Sequence, residues 1–122
     1  MERVLEMAAC GRIVWGALAL AAPGLNTKLA GVGDKNTPEV RYLIRVFGSR
    51  AVALGAGYLL SDAEARRKWR RLALMVDVCD TAAGTYHLIR GDVSRGAAAG
   101  LVTITGGYAA LGLLGLAADR KR

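Results

Sequence analysis
Apolar residues in this chain gather into four long runs, residues 4–22, 40–60, 69–88 and 97–118, separated by segments rich in charge, glycine and proline. None of the runs alternates with period two, so each predicts a helix rather than a strand. Pro23-Gly24 stops the first run, as that pair stops most helices. The polar stretch 24–38 is expected to be a loop. Thr37-Pro38-Glu39 then starts the second helix, with threonine as N-cap, proline at the first helical position and an acid in the first turn. Ser61-Asp62-Ala63-Glu64 reads as a capping box opening the third helix ahead of its apolar part. Asp92 or Ser94 is placed to cap the fourth.

Length turns four helices into candidate membrane spans. At ~1.5 Å per residue the second run reaches about 30 Å, the thickness of a hydrocarbon core. Tyr42, Tyr58 and Trp69 lie near run ends, where interfacial aromatic anchors are expected. Short connections make neighbouring helices antiparallel. The predicted fold is all-α: one domain over residues 1–122, a four-transmembrane-helix antiparallel bundle. A secretory leader is the rival reading of the first run; Glu2, Glu6 and Arg12 break its charge pattern, so a retained span is expected.

Composition agrees with this reading: 53% of residues are hydrophobic, only 6% are aromatic, and glycine occurs 16 times. The mean hydropathy of +0.29 is low for four spans because 17 basic and 10 acidic residues crowd into short connections and a few span positions. A net charge of +7 raises the question of a nucleic-acid partner. The bases cluster at 66–71 and 120–122, beside apolar runs and without a known nucleic-acid reader motif, so a lipid bilayer is the expected partner and nucleic acid is not. Placing the N-terminus, the 61–71 connection and the C-terminus on one side collects nine Lys and Arg against five on the other. Both termini are therefore expected on the cytoplasmic side of the cell membrane.

The candidate site is ionic. Arg12, Arg45 and Arg50 lie within the first two runs, and Asp77 and Asp80 within the third. Ala73, Asp77, Asp80, Gly84 and His87 fall at spacings of four and three, which places them on one helical face. A charge at bilayer centre costs about 2.5–3.5 kcal/mol on insertion scales, so partners are expected. Depth along the runs matches Arg50 with Asp80 and Arg12 with Asp77. Arg45 and Arg50 are separated by about 140° around their helix, so one of them should face another subunit or the outer interface. Such a buried cluster of Arg12, Arg45, Arg50, Asp77, Asp80 and His87 either fixes helix register or lines a path for protons or anions.

Glycines supply a second signal. Gly48, Ala51 and Gly55 on the second run, Gly84 on the third, and Gly96, Gly100, Thr103, Gly107 and Ala110 on the fourth form small-residue seams that permit close helix approach. Cys10 and Cys79 fall in apolar runs without metal-ligand spacing and are expected to be small core residues. No catalytic set, phosphate loop, cofactor motif or metal cluster is visible, so the chain is not expected to be an enzyme.

Arg45-Val46-Phe47-Gly48-Ser49-Arg50 followed by Leu54-Gly55, with Gly11-Arg12 in the first run and the aspartates in the third, resembles small actinobacterial-type four-helix integral membrane proteins of unknown function. That resemblance implies fold and location, and no activity. In size and outline the chain also resembles small multidrug exporters. Those centre on a glutamate in the first helix, where this chain has Arg12, which argues against cation export. The expected function is a structural or accessory membrane component, as a homo-oligomer or a subunit of a larger complex; the alternative is a small transporter or channel for protons or anions.

Overall fold
The computed structural model describes residues 1–122 and is entirely helical. It has five α-helices: α1 (Glu2–Ala21), α2 (Pro23–Leu29), α3 (Pro38–Leu59), α4 (Ala63–Arg90) and α5 (Arg95–Arg120), plus a 3-10 turn at Gly33–Lys35. The expected loop over 24–38 is thus largely α2 and that turn. Pro23 begins α2 because a first-turn residue needs no amide hydrogen, and the buried Thr27 hydroxyl donates to the Gly24 carbonyl at 2.8 Å.

Helix ends follow local chemistry. Thr37 caps α3, accepting from the Val40 amide, with Pro38 behind it. Asp62, rather than Ser61, caps α4 by accepting from the Ala65 amide at 2.9 Å. Ser61 instead closes α3, donating to the Gly57 carbonyl at 2.5 Å, so the expected capping box does not form. Gly91, at φ +68°, ends α4 in the left-handed conformation that glycine adopts without strain. Ser94 caps α5.

The four long helices pack as two intimate antiparallel pairs, α1 with α3 and α4 with α5, which touch each other more sparsely. In α1, Leu5, Ala9, Gly16 and Ala19 turn inward, facing Gly48, Ala51, Gly55 and Tyr58 of α3. A Cβ on Gly48 would lie 2.6 Å from the Gly16 carbonyl oxygen, and one on Gly55 2.6 Å from that of Ala9. Backbones this close exclude any side chain. Gly84 on α4 instead leaves room for a side chain of α5, since a Cβ there would meet the Val102 methyl at 2.7 Å. Gly100 and Gly107, expected in the same role, have nothing within 4 Å of a Cβ. Their face of α5, with Gly96, Thr103 and Ala110, is exposed because α4 covers the opposite side.

Interactions between the two pairs concentrate toward the end that holds both chain termini. Leu5 packs on Gly115, Trp69 on Gly57, and the Tyr108 hydroxyl donates to the Ala8 carbonyl at 3.3 Å. Tyr58 and Trp69 therefore join the small core with Leu5 and Ala9 rather than serving as outward anchors; Tyr42 remains exposed.

Two helices, α1 and α5, are long and apolar enough to cross a membrane. Four such helices were expected. α3 falls short because Glu39, Arg41, Arg45 and Arg50 interrupt it, and α4 because its first turns are basic and its middle carries Asp77 and Asp80. Cys10 and Cys79 are exposed and unpaired. Their helices turn smaller or charged residues inward, so the expectation that they lie in the core is corrected.

Replacing Gly48 by Val should destabilise the α1–α3 pair by about 1–3 kcal/mol, as overpacking does, read as a lowered thermal midpoint of the purified protein. Gly107→Val should leave the chain's own helix packing intact, so any loss it causes reports on contacts with other molecules.

Candidate functional site
Two ion pairs join the helix pairs near mid-length. Arg12 of α1 donates to both carboxylate oxygens of Asp77 of α4, Nη1 to Oδ1 at 3.0 Å and Nη2 to Oδ2. Asp77 is the only buried carboxylate, 3% exposed. The guanidinium of Arg12 also lies 4.2 Å from the ring centre of Tyr108, a cation–π contact from α5. Three helices thus converge on one arginine. The backbones of α1 and α4 stay apart, so this bidentate pair, like the reach of Arg66 to Glu2 and Glu6, runs across the diagonal of the fold.

The second pair is more open. Arg50 of α3 donates Nη2 to Oδ2 of Asp80 at 2.6 Å, with side-chain exposures of 44% and 27%. Phe47, one turn earlier on α3, lies 5.5 Å from the Arg50 guanidinium.

Arg45 and His87 stand apart from these pairs. Arg45 is exposed and donates Nε to the Leu20 carbonyl at 3.2 Å, satisfying the end of α1; its angular offset from Arg50 directs it away from α4. His87 lies at the last turn of α4, its Nδ1 2.8 Å from Asp92 Oδ1. That hydrogen bond, helped by the histidine's charge, holds the Asp92 carboxyl below its usual range. The expected six-residue buried cluster is therefore four residues in two pairs, only the Arg12–Asp77 pair being enclosed.

A cleft leads to the pairs from the end opposite the chain termini. About 560 Å³ in volume, it lies beneath α2 and between α3, α4 and α5, with Trp15, Phe47, Leu101 and Ile104 among its walls. Arg50 and Asp80 line both this cleft and an adjoining compartment of about 190 Å³ that ends on Arg12, Asp77 and Tyr108. Beyond that plug only about 40 Å³ remains, between Leu5, Tyr58, Trp69 and Arg70. The interior is accordingly wide at one end, ionic in the middle and nearly closed at the other.

Several partners were missed from sequence. Tyr108 is the sole aromatic residue of α5, a signal that was available. Arg66 bridges Glu2 and Glu6 of α1, each at 3.1 Å, and Arg70 meets Asp119 at 2.5 Å. Reading 66–71 only as membrane-flanking charge hid these contacts. On α1, Leu5, Ala9, Arg12, Gly16 and Ala19 show the same alternation of four and three as the seams that were recognised.

No family model, curated protein or solved structure matches this chain. No cluster of metal-ligating side chains is present.

Removing one member of the enclosed pair leaves a buried charge uncompensated, which costs about 3–5 kcal/mol. Arg12→Met and Asp77→Leu should each destabilise strongly, and the double variant much less than their sum. The same cycle on Arg50 and Asp80 should give a coupling of about 1 kcal/mol or less, as for exposed pairs. Chemical denaturation of the purified proteins reads both cycles.

Proposed function
We propose that this chain is an integral protein of the cell membrane in which all four long helices cross the bilayer as an antiparallel bundle. Both termini and the α3–α4 connection lie on the cytoplasmic side. Its role is that of a structural or accessory component, assembling with further copies of itself or within a larger membrane complex.

The observation that carries this reading is the inverted surface. Only 15 of 122 residues are buried, while large apolar side chains such as Met7, Val14, Leu43, Leu60, Met75, Ile89 and Leu113 are exposed. The chain exposes 7703 Å², against about 6,300 Å² for a compact water-soluble monomer of its mass. A surface so large and so apolar requires lipid or protein as its surroundings. The charges that keep α3 and α4 from reading as spans by composition support their insertion once paired: Arg50 with Asp80, and Arg12 with Asp77. The charge asymmetry supports the orientation, because Arg66–Arg71 and Arg120–Arg122 share one end. Assembly is supported by the exposed small residues Thr103, Gly107 and Ala110 of α5, which lie outside the cleft and offer close approach to another helix. The motif resemblance to small four-helix membrane proteins fits the same fold.

A second reading, a conduit for protons or anions, draws on one feature: the cleft admits solvent from the outer end as far as Arg50 and Asp80. There the arginine is a fixed charge and the aspartate a proton site.

Membrane fractionation with carbonate and detergent extraction, together with thiol labelling of single cysteines placed at residues 2, 34, 62, 92 and 121, tests the topology. Labelling from outside at 34 and 92 only, with extraction requiring detergent, is the expected outcome; a protein that remains monodisperse in plain buffer refutes it. Asp80→Asn separates the two roles. Lost assembly with no change in flux supports the accessory role, whereas normal assembly with altered proton or anion flux in vesicles supports the conduit.

A further inference from the structure
The charges at the opposite end of the fold are organised in a way the ion pairs do not explain. Most arginines in the chain have a partner: Arg12, Arg50, Arg66 and Arg70 meet carboxylates, Arg41 and Arg45 meet carbonyls, and Arg90 meets Tyr86 and Asp92. Arg3, Arg67, Arg71, Arg95, Arg120 and Arg122 have none, and of these Arg67, Arg71 and Arg120 line a single pocket of about 270 Å³ with Leu116 and Asp119. The spacing builds it: Arg67 and Arg71 are one turn apart on α4, and Leu116 and Arg120 one turn apart on α5. Asp119 cannot neutralise the pocket, because its carboxylate already meets Arg70.

Three arginines against one aspartate, itself shared with Arg70, leave the pocket with an excess of positive charge suited to a polyoxygen anion, and guanidinium geometry suits phosphate in particular. The surroundings select among phosphates. One turn from Arg71, on the same face of α4, Met75 is 58% exposed, and one turn from Leu116 on α5, Leu113 is 57% exposed. An apolar strip therefore runs from the charged pocket toward the middle of the helices. A free phosphate has no use for that strip, whereas a lipid places acyl chains there.

We propose that the pocket formed by Arg67, Arg71 and Arg120 binds the phosphate of an anionic phospholipid headgroup, its acyl chains lying along Met75 and Leu113. This rests on the membrane reading above. The bound lipid then clamps the first turns of α4 to the last turn of α5 at the cytoplasmic surface, where basic pockets between helices meet anionic headgroups.

Dioleoyl phosphatidylglycerol is titrated into the detergent-solubilised protein, with dioleoyl phosphatidylcholine and inorganic phosphate as parallel probes, and bound species are counted by native mass spectrometry. One tightly held phosphatidylglycerol is expected, with phosphatidylcholine weaker and inorganic phosphate not competing at millimolar concentration. Replacing all three arginines by glutamine should weaken phosphatidylglycerol about a hundredfold, each removed charge contributing about fivefold. The variant Arg3→Gln, Lys68→Gln, Arg122→Gln removes equal charge outside the pocket and should bind as the parent does. Equal losses in the two variants, or effective competition by inorganic phosphate, overturn the lipid site while leaving the membrane reading intact. A parent protein that needs no detergent overturns the membrane reading first.

Discussion
Everything in this fold is arranged so that the carboxylate of Asp77 has a partner. It is the most deeply buried carboxylate of the chain, and burying a carboxylate without a partner is prohibitively costly. The bidentate guanidinium of Arg12 comes from the helix diagonally opposite, and Tyr108 approaches that guanidinium from a third. Around those groups, α1 and α3 lie almost backbone to backbone at Gly16 and Gly48, and Gly84 of α4 makes room for the Val102 side chain of α5. The glycines and the ion pair are therefore parts of a single constraint: small residues set the distances, and the charges set the register.

The same constraint explains the shape of the interior. Between the enclosed pair and the end bearing the chain termini, apolar and aromatic groups interlock, and almost no space is left. On the other side of the pair, the two helix pairs part and α2 roofs the opening. Arg50 and Asp80 stand at the boundary, half in contact with solvent. Their attraction is screened where that of Arg12 and Asp77 is not, so two chemically identical pairs have unequal weight in holding the helices together.

Much of this was legible in the chain. Depth along each apolar run, counted in residues, matched Arg50 to Asp80 across the antiparallel α3 and α4, and Arg12 to Asp77 across α1 and α4, which run parallel with their mid-points level. The Gly48, Ala51 and Gly55 seam was legible for the same geometric reason. What escaped depended on direction around the helix rather than position along it. Gly100 and Gly107 have the spacing of a contact face, but which face of α5 is covered depends on where α4 lies, and Gly84 and Val102 decide that. Arg45 shares a run with Arg50 and faces elsewhere. The helix at Pro23–Leu29 escaped because seven residues are too few to show a period, and the capping of α4 by Asp62 rather than Ser61 turned on a hydroxyl that found the carbonyl of Gly57 first.

The diagonal pairing also sets an order of events during synthesis. Sixty-five residues separate Arg12 from Asp77, so at a ribosomal rate of about 5–20 residues per second the arginine waits roughly 3–13 seconds for its counter-ion. α3 emerges before α4 and can dock on α1 through Gly16 and Gly48 in that interval, yet it brings further arginines and no aspartate. The nascent half-molecule thus carries seven Lys and Arg against four Asp and Glu, with neither Arg12 nor Arg50 yet paired. Arrival of α4, which carries both Asp77 and Asp80, is the step that supplies the missing counter-charges.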